Sequence, residues 1–167
     1  GIKFTCFQCN RNGLDIDTNS PLNSGLRGDR FNGNLYGNGW DFEEYAPDYN
    51  STNIILNDCE MLQNAKMGVL VYTHGNTSET SLKANIVIRG GSYDKGQFSD
   101  TEYAIIIRPT AAYTGAILNI NQLNVTNVDL NGCSIAVAHC KKFNFFNNIN
   151  YKTVAVLQYV TAYTDVP

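Results

Sequence analysis

A short apolar strand motif recurs six times along the chain, and polar turns rich in Asn and Gly separate its copies. Within each copy apolar residues alternate with others, which is the pattern of a β-strand with one buried face. The copies read GLDID, GWDFE, GVLVY, AIIIR, SIAVA and TVAVL, and their first apolar residues are Leu14, Trp40, Val69, Ile105, Ile135 and Val154. Successive copies lie 19 to 36 residues apart. This period predicts a stack of repeats, because one repeat cannot bury its apolar face alone.

A second strand motif precedes each copy by roughly ten to twenty residues. It reads KFTCF, RFNGN, NIILN, NIVIR, QLNVT and KFNFF, beginning at Lys3, Arg30, Asn53, Asn85, Gln122 and Lys142. The connecting segments carry Asn or Gly, which tolerate the left-handed backbone of tight corners. Helical periodicity is almost absent. The sequence therefore predicts a single all-β domain over residues 1–167. The predicted inward residues are Leu14, Ile16, Trp40, Phe42, Val69, Val71, Ile105, Ile107, Ile135, Val137, Val154 and Val156.

The residues between the inward positions would form rows on the outer face, and the first repeats place acidic residues there. Neighbouring repeats of a parallel stack are about 4.8 Å apart, so four carboxylates should come together. They are Asp15, Asp17, Asp41 and Glu43. Such a cluster fits the acid and base of a glycoside hydrolase, with Asp41 and Glu43 the first candidates. It equally fits a structural Ca²⁺ site or a solvated acidic face.

In the later repeats the same outer rows become apolar. The residues concerned are Leu70, Ile106, Ala136, Ala155 and Leu157. A soluble monomer rarely exposes an apolar stripe of this length. We expect two further copies of the chain to cover it around a threefold axis. The alternative is a loop of the same chain, such as residues 111–115.

Polar, Gly-rich segments between the strands carry aromatic residues that suit carbohydrate binding. Aromatic rings next to hydrogen-bonding acids and amides provide stacking surfaces for sugars. The candidate stacking residues are Tyr45, Tyr49, Tyr93, Phe98, Tyr103 and Tyr113. The alternative is that these segments are ordinary solvated insertions, with each ring anchoring its own loop.

Composition excludes several classes of partner. Twelve basic and 15 acidic residues give a net charge of −3, which disfavours electrostatic capture of nucleic acid. No apolar run is long enough to insert into a membrane. The five cysteines are odd in number, and the CFQC pair at Cys6 and Cys9 has no second pair of zinc ligands. We predict buried free thiols, no metal at the cysteines and no cofactor, with the structural Ca²⁺ as the one alternative.

Two segments resemble a known family most closely: NIILNDCEMLQNAKMGVLVY and FNGNLYGNGWDFEE. With them the chain resembles the right-handed parallel β-helix of the pectin-lyase-like type, and more narrowly the β-helix body of a bacteriophage tailspike or tail fibre. The pectinase signatures NTD, DD, GHG and RIK are absent.

The resemblance implies a solenoid of about six coils, assembled as a homotrimer in the phage tail and folded in the host cytoplasm. It also implies a receptor-binding role towards a bacterial surface polysaccharide, with or without depolymerisation. A non-catalytic shaft or adhesion segment is the alternative. Strand-like sequence at both ends leads us to expect a segment of a longer polypeptide.

Overall fold

The computed structural model describes residues 5–7, 14–18, 23–27, 30–32, 40–44, 52–73, 84–98, 101–109, 120–138, 140–156, 160 and 162–166. Before residue 54 the description concerns the backbone, apart from the side chains of Arg30 and Asn32. These residues form β-strands joined by turns, and no helix occurs among them. The all-β prediction is therefore confirmed.

Sixteen strands lie within the described ranges. They are β1 (Thr5–Phe7), β2 (Leu14–Thr18), β3 (Asn23–Arg27), β4 (Arg30–Asn32), β5 (Trp40–Glu44), β6 (Thr52–Asn57), β7 (Glu60–Met61), β8 (Val69–Thr73), β9 (Ala84–Arg89), β10 (Ser92–Tyr93), β11 (Tyr103–Pro109), β12 (Ile120–Thr126), β13 (Asp129–Val137), β14 (Lys142–Phe146), β15 (Ile149–Val156) and β16 (Ala162–Val166).

The strands form two sheets in which the paired strands run parallel. The six-stranded sheet has the order β16-β14-β12-β9-β6-β3. The ten-stranded sheet has the order β1-β4-β7-β10-β13-β11-β8-β5-β2, and β15 pairs with β13 off this path. Along the described chain, each strand therefore pairs with its counterpart in the neighbouring repeat. Parallel pairing of this kind requires a long connection between partners, which here contains the other strands of the repeat.

The six predicted motif copies pair in the predicted alignment. Leu14 lies opposite Trp40, and Trp40 lies opposite Val69. The same row continues through Ile105, Ile135 and Val154. The spacing of apolar residues in the sequence therefore identified the correct register of strands that are up to 36 residues apart.

The prediction for the second strand motif, which precedes each copy of the first, was only partly correct. NIILN, NIVIR, QLNVT and KFNFF do pair successively in the six-stranded sheet, as parts of β6, β9, β12 and β14. KFTCF and RFNGN instead contribute β1 and β4, which pair with each other in the ten-stranded sheet. Their predicted place beside β6 is taken by β3, whose sequence NSGLR has little apolar pattern.

The reason for this error is a third, very short strand in each repeat. The strands β7 and β10 have only two residues each, and in the later repeats the short strand is continuous with the long one in β13 and β15. Two residues are too few to show an alternating pattern. The Asn32 side chain helps to hold the short strands β4 and β7 together. Its Nδ2 donates to Glu60 Oε1 at 2.5 Å, and its Oδ1 accepts from Leu62 N at 2.8 Å.

A two-residue corner connects the six-stranded sheet to the short strand in four successive repeats. Its first residue has a left-handed backbone, with φ of 52° at Asp58, 65° at Gly90, 54° at Asn127 and 52° at Asn147. Gly, Asn and Asp are the residues that adopt this conformation at low cost. The corners stack through backbone hydrogen bonds, from Asp58 N to Arg89 O at 2.8 Å and from Gly90 N to Thr126 O at 2.9 Å. The prediction that Asn and Gly mark tight corners is confirmed here.

The hydrophobic core lies between the two sheets. Val69, Val71, Ile105, Ile107, Ile135 and Val137, all predicted to point inward, are at most 1% exposed. Their partners in the six-stranded sheet include Ile54, Ile86, Leu123, Phe143 and Phe145. Full burial of one such side chain stabilises the fold by about 1.5–3 kcal/mol. Val154 is half-buried against this core, and Val156 is 38% exposed. The side chains of Leu14, Ile16, Trp40 and Phe42 lie outside the description.

The three cysteines whose side chains are described lie in the interior. Cys59, Cys133 and Cys140 are buried. Burial raises the pKa of the Cys140 thiol to about 11, so the nucleophilic thiolate is scarce at neutral pH. The prediction of buried free thiols is confirmed for Cys133 and Cys140, and the side chains of Cys6 and Cys9 lie outside the description.

Tyr93→Phe is expected to leave the free energy of unfolding unchanged or to raise it by about 1 kcal/mol. Tyr93 is fully buried, and its hydroxyl has no hydrogen-bond partner within the described part of the chain. The phenol therefore loses hydration on folding without a compensating bond. Urea unfolding of the two proteins measures the difference. A destabilisation of about 1 kcal/mol or more would contradict this account.

Candidate functional site

The strand register brings the four predicted acidic positions together on the backbone. In the β2–β5 pair, Asp15 lies opposite Asp41, and Asp17 lies opposite Glu43. Paired residues on neighbouring strands are about 4.8 Å apart, and residues two apart on one strand share a face of the sheet. The side chains of these four residues lie outside the description. Their joint role, whether in catalysis, in Ca²⁺ binding or as a solvated face, stays a prediction.

The row that begins with Asp15 and Asp41 continues into apolar residues. Asp41 pairs with Leu70, Leu70 with Ile106, and Ile106 with Ala136. These three apolar side chains form a second hydrophobic cluster, which is separate from the core between the sheets. In β8, β11 and β13 the row therefore lies on the face of the strands that points away from the main core, as the alternating pattern predicted.

The second cluster is buried within a single chain. Leu70 and Ile106 are each 6% exposed, and Ala136 is 2% exposed. Met67, Tyr103 and Ala155 are partly buried and pack against them. The predicted subunit interface consisted of Leu70, Ile106, Ala136, Ala155 and Leu157. The burial of its first three members needs no second copy, and Leu157 lies outside the described residues.

The next row combines acids with an aromatic and a basic residue. Asp17 pairs with Glu43, Glu43 with Tyr72, and Tyr72 with Arg108. The sequence shows this combination only once the repeats are aligned, because the members come from four different repeats. Tyr72 was not among the predicted sugar-binding residues, and its side chain lies outside the description. The row offers carboxylates, a phenol and a guanidinium at adjacent backbone positions.

Three of the six predicted aromatic stacking residues are described, and their side chains lie in different environments. Phe98 is 75% exposed, so its ring is available to a ligand. Tyr103 packs against the second cluster. The assignment of Tyr93 as a sugar platform is corrected here, because its side chain is fully buried in the core. Its Gly-rich surroundings in the sequence hid the two-residue strand β10 that points it inward. Tyr45, Tyr49 and Tyr113 lie outside the described residues.

Phe98 belongs to a pair of loops that one carboxylate holds together. In the segments 62–68 and 94–98, Asp94 Oδ2 accepts from Gln63 N and Asp94 Oδ1 accepts from Gly96 N, both at 2.9 Å. Backbone bonds continue the pairing, since Phe98 N donates to Ala65 O at 3.0 Å. The loops are therefore ordered next to the exposed ring of Phe98.

An ion pair lies beside the second cluster, between the start of β11 and β15. Lys152 Nζ donates to Glu102 Oε2. The hydrogen bond from Lys152 lowers the pKa of Glu102, and the same contact raises the pKa of Lys152. Both groups are exposed, so the pair contributes little to stability. Both groups are charged at neutral pH without this contact as well, so the pair places one carboxylate and one ammonium group next to each other.

Two properties of the described residues bear on the type of site. Among these residues, no three His, Cys, Asp or Glu side chains come together as metal ligands. The acidic side chains of β2 and β5 lie outside the description. No helix in the described part of the chain is long and apolar enough to span a membrane.

In comparisons with known proteins, no family model, no curated protein and no solved structure matches the chain.

Asp94→Ala is expected to lower the free energy of unfolding by about 1–3 kcal/mol, because two backbone N–H groups lose their acceptor. Hydrogen exchange should accelerate at the amides of Gln63 and Gly96, which report on the loop pair directly. Lys95→Ala, at an exposed side chain in the same loop, is the matched control and should leave both amides unchanged. Unchanged exchange in Asp94→Ala would show that the carboxylate does not order the loops.

Proposed function

We propose that this chain is a right-handed parallel β-helix module of a phage tailspike or tail fibre that binds a bacterial surface polysaccharide. The solenoid is supported by the parallel pairing of each strand with its counterpart one repeat away. It is supported further by the recurring two-residue corner. The module would fold in the host cytoplasm, where unpaired buried cysteines persist, and act in the virion.

The choice of a polysaccharide rests on one observation: the strand register aligns acidic positions in rows across neighbouring strands. Asp15 and Asp41 occupy paired positions, and so do Asp17 and Glu43. Carboxylates accept hydrogen bonds from sugar hydroxyls, and the second row adds Tyr72 next to Glu43. A repeating polymer suits a surface made of rows, because successive sugars meet successive strands.

The catalytic form of this proposal assigns acid and base roles to the same residues. Paired positions about 4.8 Å apart approach the carboxyl separation of retaining glycosidases, which is about 5–5.5 Å. Positions two residues apart on one strand, about 6.6 Å from each other, approach the inverting separation of about 6.5–9.5 Å. Asp41 and Glu43 are the first pair, with Asp15 and Asp17 as their neighbours across the strands. A structural Ca²⁺ at the cluster is the other role that the carboxylates support.

Incubation with capsular and O-antigen polysaccharides tests both the catalytic and the binding-only form of the proposal. A depolymerase releases new reducing ends, and Asp41→Asn or Glu43→Gln should lower that rate by about 100-fold or more. Asp165→Asn, which removes an exposed carboxylate from β16, is the matched control and should keep full activity. Full activity in both Asp41→Asn and Glu43→Gln would exclude these residues from catalysis.

A binding-only module gives a different result in the same experiment. Affinity electrophoresis through the polysaccharide would retard the protein without release of reducing ends, and the two variants would weaken the retardation. The absence of both retardation and release across the panel would favour a structural shaft, which is the alternative role for stacked repeats.

The proposed assembly is a homotrimer, and we expect sedimentation equilibrium to give three times the mass of one chain. Because Leu70, Ile106 and Ala136 are already buried in the single chain, the trimer rests on the resemblance to tailspikes and on closed cyclic symmetry. A stable monomer would contradict this part of the proposal and would leave polysaccharide binding to be judged on its own.

A further inference from the structure

A polar notch lies on the row of left-handed corner residues, away from the acidic rows. In successive repeats this row contains Asp58, Gly90, Asn127 and Asn147. Three of the four carry a short polar side chain, and Gly90 carries none. The row therefore has no side chain of its own at one repeat, with Asp58 on one side and Asn127 on the other.

The missing side chain of Gly90 makes room for the carboxylate of Asp58. A Cβ atom at Gly90 would lie 2.0 Å from Asp58 Oδ1, so the Asp58 carboxylate reaches into the space that a side chain would fill. The backbone at the floor is fixed, because Gly90 N donates to Thr126 O at 2.9 Å. Gly90 itself is buried, whereas Asp58 and Asn127 are exposed. The notch thus has a rigid floor and polar walls.

Two further residues of the preceding strands complete the walls. Asn57 and Arg89 are register partners on β6 and β9. Arg89 Nε donates to Asn57 Oδ1 at 3.2 Å, which orients the guanidinium along the rim. The depression that these residues line has a volume of about 390 Å³. Pockets for small ligands hold about 300–1,000 Å³, so one compact ligand unit fits.

The chemistry of the walls selects among ligand classes. Among the described lining residues, one carboxylate and one guanidinium give no net charge, which disfavours both a bare cation and a bare anion. Among the described residues, the five that line the depression include no aromatic or aliphatic side chain, so they offer nothing to an apolar ligand. A neutral polyol satisfies such walls, because each hydroxyl is both a donor and an acceptor. The carboxylate of Asp58 accepts hydrogen bonds from such hydroxyls, and the guanidinium of Arg89 donates hydrogen bonds to them. The side-chain amides of Asn57 and Asn127 can do both.

We propose that the notch at Gly90 binds one neutral sugar unit. The choice of a sugar among polyols rests on the proposed function, whereas the notch and its neutrality rest on the corner geometry alone. The site is separate from the acidic rows of β2 and β5, so it would hold a side branch or a neighbouring unit of the same polymer. Binding to a shallow, aromatic-free notch is expected to be weak, with a dissociation constant on the order of 1–10 mM.

Gly90→Asn tests the notch by adding a side chain where the Asp58 carboxylate lies, and Asn is a residue that the same corner uses elsewhere. Asn127 and Asn147 adopt this left-handed backbone, so the variant is compatible with the fold once Asp58 rotates away. Methyl glycosides of glucose, galactose, mannose and rhamnose are titrated into the ¹⁵N-labelled chain. Saturable shifts of the Asp58, Gly90 and Asn127 amides are expected with at least one glycoside. Gly90→Asn should abolish them.

Two other variants separate the notch from general effects. Gly132→Asn makes the same substitution at an exposed left-handed glycine whose Cβ would meet nothing within 4 Å, and it should keep the shifts. Asp58→Asn keeps the shape and removes the charge, so it should weaken binding about tenfold, the loss of one charge-assisted hydrogen bond. The absence of saturable shifts with all four glycosides, or shifts that persist in Gly90→Asn, would overturn the proposal.

The outcomes also distinguish the notch from the proposed function. If the glycosides bind at Gly90 but no polysaccharide is retained or cleaved, the notch stands and the polysaccharide role fails. If a polysaccharide binds equally well to Gly90→Asn and no glycoside shifts the corner amides, the polysaccharide role stands and the notch proposal fails.

Discussion

Every described strand depends on parallel hydrogen bonding to the equivalent strand of a neighbouring repeat. A repeat on its own has no partner for the backbone N–H and C=O groups of its strands, and such groups are costly to leave unpaired. The pairing between repeats satisfies them and at the same time superimposes equivalent side chains. The core row Val69, Ile105 and Ile135 and the outer row Leu70, Ile106 and Ala136 are both results of this one register.

The parts of this architecture that the sequence revealed are those with a repeated local pattern. The second strands of the repeats alternate clearly over four or five residues, so their register was predicted from Leu14 to Val154. The short strands β7 and β10 have two residues each, which is below the length at which alternation can be recognised. The assignment of Tyr93 failed for the same reason, since a Tyr between Ser92 and Asp94 in a Gly-rich segment suggests a loop.

The outer rows show a different limit of sequence-based reasoning. Alternation predicted correctly that Leu70, Ile106 and Ala136 point away from the main core, but it carries no information about what lies over them. Their burial in one chain comes from tertiary packing, to which residues distant in sequence contribute. For the acidic positions, the sequence alone predicted the neighbouring residues correctly. Alignment of two motif copies was sufficient, because the four positions lie in two adjacent paired strands: Asp15, Asp17, Asp41 and Glu43.

The two-residue corner has a consequence for how such a chain tolerates insertions. In four successive repeats it connects the strands at a constant length, and its backbone is fixed by hydrogen bonds to the next corner. The connection on the other side of the short strand varies, from residues 62–68 in one repeat to residues 94–102 in the next. The corner therefore returns the chain to the same strand register in each repeat. New loops can lengthen one edge of the molecule while the stacking of the sheets stays in phase.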